Sequence, residues 1–269
     1  MNQDIKGYAV VTGASAGIGA IYADRLARRG HDLILVARNE ERLRALAAKI
    51  TNETGRKVEV IAADLTKPAD LAKVETVLRT DPRITLLVNN AGVGATAPLL
   101  QSDVDKMSQL IALDVDVLMR LTYAIAPALV ARGGGTIINI ASIVAVGPEI
   151  LNGVYGGAKA FVLAFSQSLR HELADKGVRV HVVLPGATAT DFWDAAGTPV
   201  QHLPQEIVMP ASLMVDAALS GLDRGEFATV PSLPDLADWD AFEGARQALM
   251  PNLSHAEPAA RYRVGGAAA

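Results

Sequence analysis

The N-terminal stretch from Tyr8 to Gly19 restricts the possible folds of this chain more than any other part. The apolar run YAVV is too short for a helix, and it leads directly into TGASAGIG and then a helical segment that ends near Arg29. A strand, a glycine turn and a helix in this order suit a pyrophosphate, because backbone N–H groups and the positive end of the helix face the ligand. The spacing Gly-x3-Gly-x-Gly differs from the common GxGxxG, and glycine turns also occur for steric reasons alone.

Short apolar segments alternate with amphipathic segments through the rest of the chain. The later strands are predicted at residues 33–36, 58–62, 86–88, 136–140, 180–184 and 227–230, and helices are predicted at 40–50, at 107–129 and from Tyr155 onward. Such alternation favours a parallel sheet covered by helices on both faces and wound right-handed. The predicted fold is α/β, a single doubly wound Rossmann-type domain with a mostly parallel seven-stranded sheet.

The composition indicates one domain. The chain has 269 residues, of which 50% are hydrophobic, so it can bury one large core, and no change of composition divides it. We predict a single dinucleotide-binding and catalytic domain over residues 1–250 and a mobile C-terminal tail over residues 251–269.

Several classes of function are disfavoured by the charge and the residue types. The net charge of −4 is spread without a basic stripe, so we expect no nucleic-acid partner. The chain has no cysteine, its histidines lack the spacing of a helical metal pair, and no apolar run reaches the length of a membrane span. We therefore expect no metal, no membrane and a cytoplasmic location.

Three polar residues form a candidate catalytic group. Tyr155 and Lys159 are at i and i+4 of a predicted helix and share one face. Ser142 follows the predicted strand 136–140, and the carboxyl ends of strands are where open α/β sheets bind ligands. A nearby cation favours the phenolate, so Lys159 should lower the pKa of Tyr155. The alternative is a helix with one exposed tyrosine and one exposed lysine.

The end of the second predicted strand indicates the choice of cofactor. NAD-binding versions of this architecture carry an acid there to hold the ribose diol, whereas an arginine accommodates a 2′-phosphate. This chain has Ala37 and Arg38 at that place, which predicts NADP(H). An exposed arginine without a ligand is the alternative.

The segment from Ala187 to Met209 contains aromatic and apolar residues beside the predicted site. Together with the segment after Ser142 it predicts an apolar cleft for the substrate, lined by Val144, Leu151, Phe192 and Trp193. Long loops of this kind are usually functional or disordered, so we predict a substrate lid that is mobile without ligand. The alternative is a rigid loop whose aromatic residues complete the core.

The motifs TGxxxGxG, NNAG, the serine, YxxxK and a following PG occur in this order at residues 12–186. With them the chain resembles the short-chain dehydrogenase/reductase family, over roughly Tyr8 to Val230. The resemblance implies a carbonyl reductase or alcohol dehydrogenase acting on a small-molecule ketone, aldehyde or alcohol. It also implies a homodimer or homotetramer, for which the apolar faces of the helices at 107–129 and after Tyr155 provide surfaces.

The resemblance also implies a role for individual residues. Tyr155 would exchange a proton with the carbonyl oxygen, Ser142 would hydrogen-bond the same oxygen, and Lys159 would hold the nicotinamide ribose. The remaining cofactor-binding residues would be Gly13, Ser15, Gly17, Ile18, Gly19, Arg38, Asp64, Leu65, Asn90, Gly92, Pro185, Gly186, Thr188 and Thr190.

One position departs from the family pattern. The family has asparagine in a stretch like Leu-Asn-Val, where it belongs to a proton relay, and this chain reads Leu113-Asp114-Val115. We include Asp114 in the catalytic group and expect activity to survive, since an aspartate can keep the relay water while adding charge near Lys159.

Two other functions remain open. A 3-oxoacyl-thioester reductase would have the same motifs, although the acidic pI disfavours docking of an acidic carrier protein. A nucleotide-binding sensor without turnover would need the glycine motifs and not Ser142, Tyr155 and Lys159 together.

Overall fold

Seven parallel strands form the central sheet of the computed structural model, which describes residues 6–262. Two further short strands, β7 and β8, pair only with each other. The strands are β1 (Tyr8–Thr12), β2 (Asp32–Ala37), β3 (Val58–Ala62), β4 (Ile84–Asn89), β5 (Gly135–Ile140), β6 (Val178–Val183), β7 (Thr188–Ala189), β8 (Met209–Pro210) and β9 (Ala228–Thr229). The order in the sheet is β3-β2-β1-β4-β5-β6-β9, so the predicted doubly wound α/β fold is confirmed.

Helices follow most of the strands and cover both faces of the sheet. They are α1 (Gly17–Arg28), α2 (Glu40–Thr54), α3 (Pro68–Thr80), α4 (Val104–Ile111), α5 (Leu118–Ala131), α6 (Gly153–Leu173), α7 (Phe192–Ala196), α8 (Ala211–Asp223) and α9 (Leu236–Ala248). Local signals mark their ends. Asn39 accepts a hydrogen bond from the Arg42 N–H at the start of α2, and Gly55 ends that helix at a φ of 70°.

The main core lies between the sheet and the helices α1 and α8. Every residue of β1 and β2 is buried, as expected for central parallel strands covered on both faces. Tyr22 and Leu26 of α1 and Met214 and Leu219 of α8 pack in the same cluster as the apolar residues of these strands.

The helix predicted at residues 107–129 is interrupted. Between α4 and α5 the chain forms a π-helical segment, Ala112–Val117, before it returns to α-helical geometry. Such single-turn π segments often occur at functional sites. Asp114 lies in this segment and is buried.

The described residues fall into two compact units that divide after Pro231. The second unit contains α9, in which the rings of Trp239 and Phe242 are 5.4 Å apart, followed by short 3-10 turns at Met250–Asn252 and Ala260–Tyr262. The single domain over residues 1–250 and the mobile tail stay predictions, and residues 263–269 of that tail lie outside the described residues.

Candidate active site

The candidate site lies at the carboxyl ends of the central strands. Asn90 and Gly92 follow β4, Ser142 follows β5, and Pro185 and Gly186 follow β6. The order β1-β4-β5-β6 brings these strand ends side by side with the glycine turn after β1. Parallel sheets bind ligands at this edge because their loops and helix N-termini converge there.

One cavity of about 460 Å³ opens among these elements. Most of the predicted site residues line it. These are Gly13, Gly17, Ile18, Asn90, Gly92, Ser142, Val144, Leu151, Tyr155, Lys159, Pro185, Gly186, Thr188, Thr190, Phe192 and Trp193. Ser15, Gly19, Arg38, Asp64, Leu65 and Asp114 are not among the residues that line it.

Tyr155, Lys159 and Ser142 come together in this cavity. Tyr155 and Lys159 lie in the first two turns of α6, and the Lys159 ammonium is 5.7 Å from the centroid of the Tyr155 ring. Lys159 Nζ also donates a hydrogen bond to the Ile140 carbonyl at the end of β5, at 3.2 Å. The Ser142 hydroxyl donates to the Pro185 carbonyl at 3.3 Å. All three side chains are buried, so the alternative of an exposed tyrosine and an exposed lysine is wrong.

Asp114 forms an ion pair with Lys159 behind the cavity. Its Oδ2 atom is 3.0 Å from Lys159 Nζ, and its Oδ1 atom accepts a hydrogen bond from the Val93 N–H at 2.8 Å. The backbone at Gly92 is packed against the carboxylate, since a Cβ at this position would lie 2.9 Å from Oδ2. The ammonium of Lys159 is therefore held between Asp114 and the Ile140 carbonyl.

Burial has the largest effect on the pKa values of Tyr155 and Asp114. It raises the pKa of Tyr155 above its usual value, and although Lys159 acts to lower it, Asp114 raises it further. Lys159 thus acts in the predicted direction, but the net shift of the Tyr155 pKa is upward, because burial has the larger effect and neither burial nor the partner of Lys159 was visible in the helix pattern. Burial also raises the pKa of Asp114, against the opposing effects of Lys159 and the Val93 N–H.

The glycine turn has the shape of a phosphate cradle. Gly13 and Gly17 adopt φ values of 65° and 54°, a region that residues with a Cβ rarely occupy. Ala16, at the start of α1, offers no side chain to cap the helix, so the first N–H groups of α1 remain available beside the cavity. These residues fit a dinucleotide, whose pyrophosphate binds best at such a helix terminus.

The third glycine of the turn, Gly19, has a packing role. Gly19 faces the carbonyl of Gly13 and the Asn90 amide, and a Cβ at Gly19 would come within 2.5 Å of Asn90 Nδ2. That amide donates to the Thr12 carbonyl at 2.9 Å and joins the end of β4 to the glycine turn.

The residues predicted for the adenosine end lie beyond the cavity, at the ends of β2 and β3. Arg38 directly follows β2 and is exposed, and its guanidinium has no ion-pair partner within residues 6–262. Asp64 follows β3, where its Oδ1 atom accepts hydrogen bonds from the N–H and hydroxyl of Thr66, and Leu65 is buried. Arg38 helps to lower the pKa of Asp64, after the larger effect of Thr66.

Phe192 and Trp193 enter the site from α7 in different ways. The Phe192 ring lies 5.9 Å from the Tyr155 ring, centroid to centroid, and is partly exposed. The Trp193 indole is buried, and its N–H donates to the Thr188 carbonyl at 3.0 Å. The predicted loop from Ala187 to Met209 contains ordered elements. β7 lies near its start and β8 begins at its end, and these two strands pair with each other. Its mobility stays a prediction.

The sequence reasoning missed several residues that shape the cavity. Ile143, Leu203 and Ile207 line it, and Gly94 packs against the Phe192 ring. Leu203 and Ile207 lie within the predicted lid, close to β8. Their apolar side chains in that loop were a signal from which their place in the cavity wall could have been predicted. Nothing in the sequence pattern indicates the contact between Gly94 and Phe192, which are far apart in the chain.

Comparison with known proteins places the chain in a family. The family model described as short chain dehydrogenase matches residues 7–200. The chain belongs to the short-chain dehydrogenase family. It is accordingly an oxidoreductase of this family, whose members use NAD(P)(H), and the resemblance drawn from the motifs is confirmed.

Solved structures of this family resemble the chain over almost its whole length. A short-chain dehydrogenase from Sphingobium yanoikuyae, solved in complex with NADPH, is 50% identical with a TM-score of 0.92, covering 96% of this chain and 100% of its own. The bulky-bulky ketone specific alcohol dehydrogenase from Comamonas testosteroni is 43% identical with a TM-score of 0.87, covering 95% and 98%.

A more distant relative acts on a different substrate class. The very-long-chain 3-oxoacyl-CoA reductase of Anas platyrhynchos is 35% identical over 194 residues, which cover 71% of this chain and 62% of that protein.

No described helix is both long enough and apolar enough to cross a membrane. Within the same residues, no three His, Asp or Glu side chains are grouped so that they could hold a metal ion.

Proposed function

We propose that this protein is an NADP(H)-dependent short-chain alcohol dehydrogenase or carbonyl reductase. It interconverts a ketone or aldehyde and the corresponding alcohol, with Tyr155 as the general acid and base. The observation that carries this proposal is that Ser142, Tyr155 and Lys159 line the same cavity as the glycine turn. A carbonyl oxygen in this cavity can reach proton donors while the nucleotide is held at α1.

The chemistry divides between the cofactor and the chain. When bound, the nicotinamide supplies or accepts the hydride. During reduction, the Tyr155 hydroxyl transfers its proton to the carbonyl oxygen, and the Tyr155 phenolate that remains is stabilised by Lys159. The Ser142 hydroxyl leaves the Pro185 carbonyl and donates to the same substrate oxygen, because one O–H proton makes one strong hydrogen bond at a time. In oxidation the proton returns to Tyr155.

The substrate class that fits best is a bulky apolar ketone. Aliphatic and aromatic side chains form much of the cavity wall around the catalytic group, among them Val144, Leu151, Phe192 and Ile207, while Asn90, Thr188, Thr190 and Asp191 are polar residues that also line it. A similar protein of 43% identity is described as specific for bulky-bulky ketones. Removing an apolar group the size of a valine or leucine side chain from water is worth about 1.5–3 kcal/mol, so a ketone that buries two large apolar substituents in the cavity gains most.

NADP(H) is the proposed cofactor form. Arg38 stands at the end of β2 with its guanidinium unpaired within the described residues, and Ala37 leaves no acid there to bind a ribose diol. The similar Sphingobium yanoikuyae protein was solved with NADPH.

Assembly into a homodimer or homotetramer and a cytoplasmic location complete the proposal. The assembly is supported by an exposed aromatic residue on α5 and a partly exposed one on α6. Tyr123 is 69% exposed, and its ring stacks on Phe165 with the centroids 6.3 Å apart. Of the small residues expected on the shared face, Gly157 and Ala164 are exposed, whereas Gly156 and Ala158 are buried within the subunit.

The test is a screen of ketones with purified protein and NADPH, comparing the unaltered enzyme with Tyr155→Phe. Reduction of ketones with two bulky apolar substituents is expected, and Tyr155→Phe should abolish turnover while NADPH still binds. Retention of most activity by Tyr155→Phe would contradict the proposal.

The second candidate is reduction of a 3-oxoacyl thioester, which the relative from Anas platyrhynchos supports. Faster NADPH-dependent turnover of a 3-oxoacyl thioester than of any ketone in the screen would favour it. Tight NADPH binding with no turnover of either class would favour the third candidate, a nucleotide-binding sensor.

A further inference from the structure

The Asp114 carboxylate is fixed in place by its surroundings. Its side chain is fully buried, Oδ1 accepts the Val93 N–H, and Oδ2 lies 3.0 Å from Lys159 Nζ. Gly92 packs against the same carboxylate, since a Cβ at this position would lie 2.9 Å from Oδ2. The carboxylate therefore cannot turn away from Lys159 without losing both a hydrogen bond and an ion pair inside the protein.

Few charges act in this region. Across the part of the chain that the structure describes, Lys159 is the charged group that acts on Asp114, and Lys159 and Asp114 are the charged groups that act on Tyr155. The neighbouring groups from the segments after β4 and β5 are uncharged: Asn90, Gly92, Val93 and Ser142. Asp191 lines the same cavity from the start of α7, but it is exposed and is not among the charges that shift the pKa of Tyr155. Asp116, on the same π-helical segment, is exposed.

The two charges oppose each other at Tyr155. The Lys159 ammonium favours the phenolate and the Asp114 carboxylate favours the neutral phenol. A neutral asparagine at position 114 would leave the ammonium without an opposing charge, and the phenolate would then form more easily. In this chain burial and Asp114 both raise the pKa of Tyr155.

We propose that Asp114 is a positioning residue that pairs with Lys159 and so keeps the proton on Tyr155 to a higher pH than an uncharged residue would. This inference rests on the proposed function, because it assigns a consequence to Tyr155 as the acid. It implies that Tyr155 remains a proton donor for carbonyl reduction well into the alkaline range. It also implies that oxidation of the alcohol reaches its maximal rate at a higher pH than it would with an uncharged residue at position 114.

The direct test is the ultraviolet titration of Tyr155 in protein without cofactor. The chain has five tyrosines, so the curve of Tyr155→Phe is subtracted from that of each protein to isolate the phenolate at position 155. In Asp114→Asn this phenolate should appear at lower pH. At about pH 9 it should be at least about threefold more abundant than in the unaltered protein, since nearby charges shift such equilibria by a unit or more.

A matched variant separates a charge effect from a general one. Asp116→Asn removes the same charge from the exposed side of the π-helical segment and should leave the Tyr155 titration unchanged. Adding Lys159→Met to Asp114→Asn should move the phenolate back to higher pH, because the cation that favours it is then gone. If Asp114→Asn does not fold, Asp114→Ser removes the charge and leaves room for a water, and takes the same test.

A kinetic measurement addresses the catalytic consequence. In Asp114→Asn the alkaline fall in kcat/KM for ketone reduction, and the plateau for alcohol oxidation, should both move to lower pH, whereas a merely structural role would change rates without moving the profile. An unchanged or higher pH of Tyr155 ionisation in Asp114→Asn would overturn the inference. The titration needs no turnover, so failure of the proposed function, seen as no ketone reduction by the unaltered protein, is a separate outcome.

Discussion

The ring of Phe192 lies directly against the backbone of Gly94, so that a Cβ at position 94 would come within 2.8 Å of the ring atom Cε1. The two residues belong to α7 and to the loop after β4, and the ring also approaches Tyr155. Gly94 thus allows Phe192 to form one wall of the substrate cavity. Under the proposed function, the position of this wall decides how much space a large ketone has beside Tyr155.

Gly94→Ala should displace the Phe192 ring and reduce kcat/KM for bulky ketones by about tenfold or more, while small ketones are affected less. One added methyl group at a packed wall is sufficient for such discrimination. The measurement is kcat/KM across a series of ketones of increasing size.

A double-mutant cycle provides the control for Gly94→Ala. In a Phe192→Ala background the ring that the added methyl group at position 94 would displace is absent, so Gly94→Ala should change kcat/KM for bulky ketones little. The effects of the two single substitutions on kcat/KM should therefore not add. Additive effects on bulky ketones would show that Gly94 acts through some contact other than Phe192.

Trp193→Ala should lower stability. The indole is buried and its N–H is bonded to the Thr188 carbonyl, so its removal is expected to cost about 3–5 kcal/mol and roughly 6 °C or more in Tm. This expectation is opposite to the lid hypothesis, in which Trp193→Ala changes kinetics and leaves Tm nearly unmoved. Phe192→Ala is the matched control, since the half-exposed Phe192 ring should affect the kinetics for bulky ketones more than Tm.

Arg38→Ala should remove the preference for NADPH. A charge-assisted contact to a phosphate is worth about 1.5–3 kcal/mol, so the unaltered protein should favour NADPH over NADH by at least about tenfold. The measurement is kcat/KM for each cofactor with one ketone. Arg44→Ala is the control, because Arg44 is already paired with Glu40 at 2.5 Å and should leave the preference intact. Equal use of NADH by the unaltered protein would contradict the assignment of Arg38.

Light scattering at micromolar concentration should give two or four times the mass of one chain. Tyr123→Glu places a charge beside the partly exposed Phe165 and should dissociate the assembly, whereas Thr80→Glu, on an exposed position of α3, should not. A monomeric mass for the unaltered protein would refute the assembly. Dissociation by both variants would show that the loss is not specific to this surface.

The order of the elements and the residues that line the candidate site were readable from the sequence. Strand and helix periods are local properties, so the apolar runs predicted the seven strands to within two residues at each end. The glycine turn, Ser142, Tyr155 and Lys159 were also readable, because each lies at a fixed distance from a strand end or a helix start. The topology of a parallel sheet then brings these strand ends to one edge.

Only the tertiary structure decided what these residues contact. The π-helical segment that carries Asp114 lies inside what the apolar pattern presents as one helix, since six residues are too few to show a period of their own. The pairing of Asp114 with Lys159 and the wall formed by Phe192 on Gly94 join residues distant in the chain, and local pattern contains no information on such pairs. The direction of the Tyr155 pKa follows from burial and from those contacts, so it was decided by packing rather than by the YxxxK motif.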